Sequence, residues 1–233
     1  MFEQTAAYYD LIYSFKDYQK EAKEIQDYLH NVYPEAVRIL DIACGTGKHA
    51  QFLSEHYQVD GIDSNPVFVE IAANRNPDGQ FYCKDMMKFQ LPQQYDVVLC
   101  LFSSIAYAKS FDALVDTLGQ LHNHTKPSGY LIVEPWFAPD TYESNRYDML
   151  TVEDETHKIC RMSHSTREGL LSILHFHYLV NSRQGITHYK EKHELGLFSN
   201  NNMLQAFKMS GFSAEYDPIG ISGRGMYVAK IKG

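Results

Sequence analysis

Arg38-Ile39-Leu40-Asp41-Ile42-Ala43-Cys44-Gly45-Thr46-Gly47-Lys48-His49 is the stretch around which the chain is organised. An apolar run ends in a Gly-x-Gly turn, and a helix-like pattern follows. The spacing predicts a strand that delivers its C-terminal end to a small-molecule ligand. Gly45 and Gly47 lack a Cβ, so they can adopt φ > 0 and let a ligand lie against the backbone. Further on, Val59-Asp60-Gly61-Ile62-Asp63 closes a second apolar run with a carboxylate. The pairing points to a nucleoside cofactor, with backbone groups near the glycines and Asp63 on the ribose hydroxyls.

Two other nucleotide signatures can be compared with this turn. The dinucleotide fingerprint wants a third glycine where Ala50 stands; that position tolerates alanine, so NAD stays open on this count. A phosphate-binding P-loop needs Gly-Lys-Ser/Thr, and Gly47-Lys48-His49 does not supply it. The spelling Leu40-Asp41-Ile42-Ala43-Cys44-Gly45-Thr46-Gly47 resembles that of class I methyltransferases dependent on S-adenosyl-L-methionine (AdoMet).

The 233 residues suit a single α/β domain, 1–233, with an insertion. A net charge of −8, with no block of like charges, argues against nonspecific binding to nucleic acid or to an anionic membrane. No apolar run approaches membrane-spanning length, and no signal-like segment follows Met1. Cys44, Cys83, Cys100 and Cys160 form no Cys-x-x-Cys and read as buried, reduced thiols, which fits the cytoplasm.

Residues 17–33 carry Ala22, Ile25, Leu29 and Val32 at helical spacing; with the tyrosines before them, 1–33 reads as an N-terminal lid and helix. Strands are predicted at 37–43, 59–62, 80–83, 95–102 and 130–134. Between them lie a helix running from the glycines to about residue 56, one opened by Asn65-Pro66, and one capped by Ser110 with Leu114, Leu118 and Leu121 buried. Strand–helix alternation implies a parallel sheet with helices on both faces. Residues 157–168, 170–180 and 186–196 then alternate as strands, predicting an antiparallel β meander inserted over 140–196. The meander could cap the substrate site, form a homodimer interface, or do both. Ser199 caps a further helix, and strands at about 212–219 and 226–231 complete a mostly parallel, Rossmann-like, seven-stranded sheet.

Ligands of such sheets bind beyond the carboxyl ends of the strands. That rule selects Gly45, Thr46 and Gly47, then Asp63, then Asp85 and Met86, then Leu101, Ser103 and Ser104, then Glu134, Trp136 and Phe137. Asp85 can accept from an adenine amino group while Met86 packs on the ring; Ser64 follows Asp63 into the same site. Arg224, between two glycines, offers a guanidinium fork in an otherwise acidic chain. Arg161 and Arg167 share a strand face and are weaker candidates. His175 and His177 share a face too, but His188 and His193 fall on opposite faces of their strand and cannot both complete a metal site, so no metal is expected.

From end to end the chain resembles the AdoMet-dependent N,N-dimethyltransferases of nucleotide-linked 3-amino sugars. The resemblance rests on Tyr9-Asp10-Leu11-Ile12-Tyr13, on 40–47, on Leu101-Phe102-Ser103-Ser104-Ile105-Ala106-Tyr107 and on Val133-Glu134-Pro135-Trp136. It rests more specifically on 161–169 and on Ser222-Gly223-Arg224-Gly225. Ala106 stands where that family usually has glycine, a change expected at the pocket wall. The resemblance implies that Tyr18, Ala43, Asp63, Asp85, Met86 and Leu101 line an AdoMet site. It also implies that Tyr13, Trp136, Ser165, His177 and Arg224 lie near a sugar nucleotide.

Methyl transfer to an amine needs the amine held in line and stripped of its proton. Tyr13, Glu134 and His177 are the candidate acceptors of that proton, with bulk water as another. A small-molecule amine or hydroxyl of another kind is the alternative substrate, and a noncatalytic AdoMet-binding module the third reading.

Overall fold

The computed structural model describes residues 4–221 and 223–232; Ser222, part of the loop singled out above, lies outside the described residues. Seven strands form the main sheet: β1 (Arg38–Ile42), β2 (Gln58–Asp63), β3 (Phe81–Cys83), β4 (Tyr95–Cys100), β5 (Thr125–Val133), β10 (Phe212–Asp217) and β11 (Met226–Ile231). Their spatial order is β10-β11-β5-β4-β1-β2-β3. The five from β5 to β3 run parallel, while β11 is antiparallel to both β5 and β10.

The helices are α1 (Tyr9–Ile12), α2 (Tyr18–Val32), α3 (Lys48–Leu53), α4 (Pro66–Arg75), α5 (Phe111–His124) and α6 (Asn200–Met209). Local chemistry starts them. Asp17 accepts from the Lys20 amide at 2.9 Å, Asn65 from Val67 at 2.9 Å and Ser110 from Ala113 at 3.2 Å. Ser199 and Asn202 form a reciprocal capping box. Because side chains alternate across a strand, Leu40 and Ile42 point to α5 and α6, while Ile39 joins Ala22, Ile25, Leu29 and Leu53 under α2 and α3. Leu114, Leu118 and Leu121 are fully buried, and truncating one of them to alanine costs about 2–5 kcal/mol.

A second sheet has the order β6 (Tyr147–Glu153), β7 (Lys158–Glu168), β8 (Leu171–Ser182) and β9 (Gly185–Gly196), all antiparallel. Its inner face meets the N-terminal segment through Ile12, Tyr13, Ile159, Phe176, Tyr178 and Val180.

Several boundaries differ from the sequence reading. The helix after the glycines ends at Leu53, where Ser54 folds its hydroxyl back onto the Ala50 carbonyl. Strand β4 stops at Cys100, because Phe102 and Ser103 turn with φ of 51° and 62°. Strand β5 starts at Thr125, and its pairing with β4 shifts register between Tyr95 and Val97. The meander has a fourth strand, β6, and a short helical stretch from Ala6 precedes α2. Cys44 and Cys100 are buried and Cys160 is partly so, but Cys83 is exposed at the end of β3.

Candidate active site

The carboxyl ends of β1, β2 and β3 converge on a cavity of about 480 Å³. Ala43, Gly45, Asp63, Ser64, Asp85 and Met86 line it from the sheet, and Tyr9, Phe68, Ser104 and Tyr107 close it from above. A second, narrow cavity of about 40 Å³ continues from Ala43 and Gly45 to Asp41, Thr46, Tyr18, His49 and Leu101.

The two glycines do different work. A Cβ built on Gly45, whose φ is +54°, would meet nothing within 4 Å, so the turn leaves open space toward the cavity. On Gly47, with φ of +72°, it would lie 2.6 Å from Asn76 Nδ2 and 2.9 Å from the Ala72 Cβ. Gly47 therefore lets α4 pack against the start of α3, and it is not among the residues that line either cavity. Ala43 holds φ of 55° without being glycine, a strain of about 1–2 kcal/mol stored where the strand meets the cavity.

Asp63 is nearly buried. Its Oδ2 accepts from the Gly45 amide at 3.0 Å and its Oδ1 from the Asn65 amide at 2.8 Å. Burial pushes its carboxyl up, and the amides of Asn65, Gly45 and Ser64 oppose that shift. Asp85 is exposed, with Oδ1 accepting from the Met87 amide at 2.9 Å, while Met86 is buried beside it. Thr46 is buried and donates to Asp10 Oδ1 at 2.6 Å; Arg75 binds the other oxygen of Asp10 and the Thr46 carbonyl. The N-terminal segment is thereby clasped onto the glycine turn.

Asp41 was missed as a site residue. Its Oδ2 is buried with no hydrogen-bond partner among the described residues, and desolvation, with Asp63 nearby, raises its carboxyl from 3.8 to about 7. A carboxylate in the middle of an apolar strand was the available signal. These features fit AdoMet. An orphaned buried carboxylate at the narrow cavity suits the ammonium group of the amino-acid end, the open space over Gly45 admits the backbone approach, and Asp63 can receive ribose hydroxyls.

A separate groove of about 660 Å³ lies between the inner face of the meander and the segment after β5. Trp136, Phe137, Ser165, Arg161, Arg146 and Arg224 line it. Trp136 is fixed by donating Nε1–H to Ser172 Oγ at 2.8 Å, and Phe137 packs edge-on to it. Arg161 lies over the rings of Phe176 and Tyr13 at 5.0 and 5.6 Å and donates to the Tyr13 hydroxyl at 3.3 Å, yet its Nε is buried without a partner among the described residues. Arg224 lies over Phe102 at 5.0 Å. Arg161 is the weak sequence candidate that the fold places in the groove. Arg167 instead donates to the carbonyls of Gly169 and Pro139.

Tyr13 lines neither space itself; it packs edge-on against Phe102 of the narrow cavity and accepts from Arg161 of the groove. Three other sequence candidates do not reach either space. His177 is exposed on the outer face of the meander, 3.1 Å from His188, because residues 176 and 178 of β8 point inward. Glu134 is buried and accepts from the Phe102 amide at 2.5 Å. Ser103 donates to the Pro135 carbonyl at 2.6 Å, and its neighbour Ser104 lines both cavities instead. Ala106 is fully buried beneath them and does not line the wall.

Tyr107 and His193, also unforeseen, line the large cavity. The Tyr107 hydroxyl is 2.8 Å from His193 Nδ1, and His193 Nε2 is 3.4 Å from Glu191. Glu191 also accepts from Thr5 at 2.7 Å.

The family model described as a methyltransferase domain matches residues 39–129. The dTDP-3-amino-3,6-dideoxy-alpha-D-glucopyranose N,N-dimethyltransferase of Streptomyces fradiae is 36% identical over 95% of this chain and 89% of its own length. The dTDP-4-amino-2,3,4,6-tetradeoxy-D-glucose N,N-dimethyltransferase of Saccharopolyspora spinosa is 33% identical over 94% of this chain and 90% of its own. The crystal structure of Streptomyces venezuelae DesVI superposes with a TM-score of 0.91 at 32% identity, covering 97% of this chain and 98% of that one.

Proposed function

We propose that this protein, which belongs to the family of AdoMet-dependent dTDP-amino-sugar N,N-dimethyltransferases, places two methyl groups on the ring amine of a dTDP-linked 3-amino-deoxysugar. The observation that carries the proposal for the acceptor is the groove beside the cofactor cavity, where Arg161 and Arg224 flank aromatic walls. Arg146, Arg161 and Arg224 bring three guanidinium groups to a groove that also holds Glu143 and Asp148, and Arg161 Nε is buried without an acceptor among the described residues. A diphosphate satisfies such donors, and Trp136 and Phe137 offer flat surfaces for a base.

AdoMet, when bound, supplies an electrophilic methyl group. Gly45, Asp63, Ser64, Asp85 and Met86 would hold its nucleoside, with Asp41, Tyr18, Thr46 and Leu101 at its amino-acid end. The protein's share of the rate comes from orientation and from excluding water. Tyr9, Tyr13, Phe102 and Tyr107 provide the apolar wall at which the amine arrives. Desolvation there favours the neutral, nucleophilic amine over the ammonium ion. Residues 140–196 act as the substrate cap and 1–33 as the lid. The free thiols, including exposed Cys83, fit a cytoplasmic enzyme, and the negative charge fits one that works without nucleic acid or membrane.

The test compares methyl acceptance by dTDP-linked 3-amino and 4-amino sugars and by the same sugars without the nucleotide. The proposal expects turnover of the dTDP-linked 3-amino sugar and little of the free one. Equal turnover with and without dTDP would favour another small-molecule amine as substrate.

A further inference from the structure

Within that functional reading, on which this inference rests, the fate of the ammonium proton is open. The three side chains expected from the sequence to take it have other surroundings or partners. His177 faces outward, Glu134 is committed to the Phe102 amide, and the Tyr13 hydroxyl already receives Arg161.

We propose that Tyr107, His193 and Glu191 form the relay that takes the proton from the acceptor amine, with Tyr107 as the group that touches it. Tyr107 lines the cavity shared by Gly45 and Asp63, and its hydroxyl is 2.8 Å from His193 Nδ1. Glu191 decides the direction of that bond. A carboxylate only accepts, so the neutral His193 ring carries its proton on Nε2, facing Glu191, and leaves Nδ1 as an acceptor. The Tyr107 O–H therefore donates to Nδ1, and its oxygen lone pairs are left for the cavity. His193 is almost wholly buried at the cavity wall.

The step balances. The ammonium N–H bond breaks and its proton joins Tyr107 Oη, while the Tyr107 O–H bond breaks and that proton joins His193 Nδ1. The nitrogen keeps the electron pair used for attack, and the imidazolium pairs with Glu191, which Thr5 and His193 hold below the usual carboxylate range. The relay resets when the proton returns along the same bonds to water once the cavity opens. Burial, Tyr13, Glu191 and Asp63 push the Tyr107 hydroxyl far up, so it stays a phenol and must hand its proton on. The titratable and charged groups around the relay are Tyr9 and Tyr13 from the N-terminal segment, Asp63 from β2, Tyr178 from β8, and Lys109, Lys192 and Glu194, which line the same cavity; the Phe176 ring of β8 lies 5.2 Å from His193.

The test pairs single-turnover methylation of the dTDP-amino sugar, across pH, with isotope-labelled histidine NMR of the ligand-free protein. Tyr107→Phe should lower the rate at neutral pH by about 100-fold, and the gap should close at high pH where the amine is already neutral. Glu191→Gln should give a smaller loss and a shifted pH profile, since it keeps an acceptor but removes the charge that supports the imidazolium. NMR should find His193 protonated on Nε2 and bare on Nδ1. A wild type that methylates the sugar while Tyr107→Phe keeps its rate and pH profile overturns the relay and leaves the functional reading standing. So does a neutral His193 protonated on Nδ1.

Discussion

Asp63 and Gly45 are joined by a 3.0 Å hydrogen bond from the Gly45 amide to Asp63 Oδ2, which locks the end of β2 to the turn that follows β1. One carboxylate thereby shapes the turn and stays within reach of a ribose. Asp63→Ala should weaken AdoMet binding by about 10- to 100-fold, the worth of one to two hydrogen bonds to a charged group. Titration calorimetry reads this directly; an unchanged Kd would remove Asp63 from the cofactor site.

The two glycines of the turn should respond differently to alanine. Gly47→Ala collides with Asn76 and Ala72 in addition to its left-handed backbone, so it should destabilise the fold by about 2–4 kcal/mol. Gly45→Ala has room and should cost only about 1–2 kcal/mol, but its methyl group intrudes where the cofactor lies. Thermal melts and AdoMet affinities measured side by side separate the two. Equal stability losses would contradict this division of labour.

Asp41 makes stability depend on pH. Its carboxyl is raised from 3.8 to about 7, so the native state holds the proton more tightly than the unfolded chain does. The contribution is fully present below the unfolded value and is lost as pH rises through about 7. Asp41→Asn should therefore gain on wild type as pH rises, by about 1–3 kcal/mol at pH 8 in the absence of ligand. AdoMet should also bind wild type less tightly as the pH falls below about 7, where Asp41 gains its proton. Denaturant melts from pH 5 to 8 that run parallel for the two proteins would contradict this.

Much of this was legible in the chain. The turn at 44–47, Asp63 and the caps at Asn65, Ser110 and Ser199 are local signals, and each lies where its spelling suggests. Strand β6 was not legible, because Tyr147–Glu153 is an edge strand without a buried alternation. His177 was misassigned for a related reason. Alternation shows which residues share a face, but only pairing across β7 and β8 shows that the face of Phe176 and Tyr178 turns inward. Asp41 was read as part of a motif's spelling when it is a buried carboxylate with an unmet need. The relay joins Tyr107 to Glu191 and His193, far along the chain on β9, and no local pattern announces it.

The groove gives its own contrast. Arg224→Ala should weaken dTDP binding by about 10-fold or more while leaving AdoMet affinity unchanged. His177→Ala and Arg167→Ala should leave dTDP affinity and the pH profile of turnover unchanged, since one side chain faces outward and the other is spent on backbone carbonyls. Loss of AdoMet binding in Arg224→Ala would contradict the separation of the two sites.

The central claim is that the protein dimethylates the amine of a dTDP-linked amino sugar. The measurement closest to it is the mass and NMR spectrum of the product formed from a dTDP-3-amino-deoxysugar with excess AdoMet. Both new methyl groups are expected on the ring nitrogen, with a monomethyl species when AdoMet is limiting. Recovery of unmodified sugar from a protein that binds AdoMet, or methylation at oxygen, would contradict it.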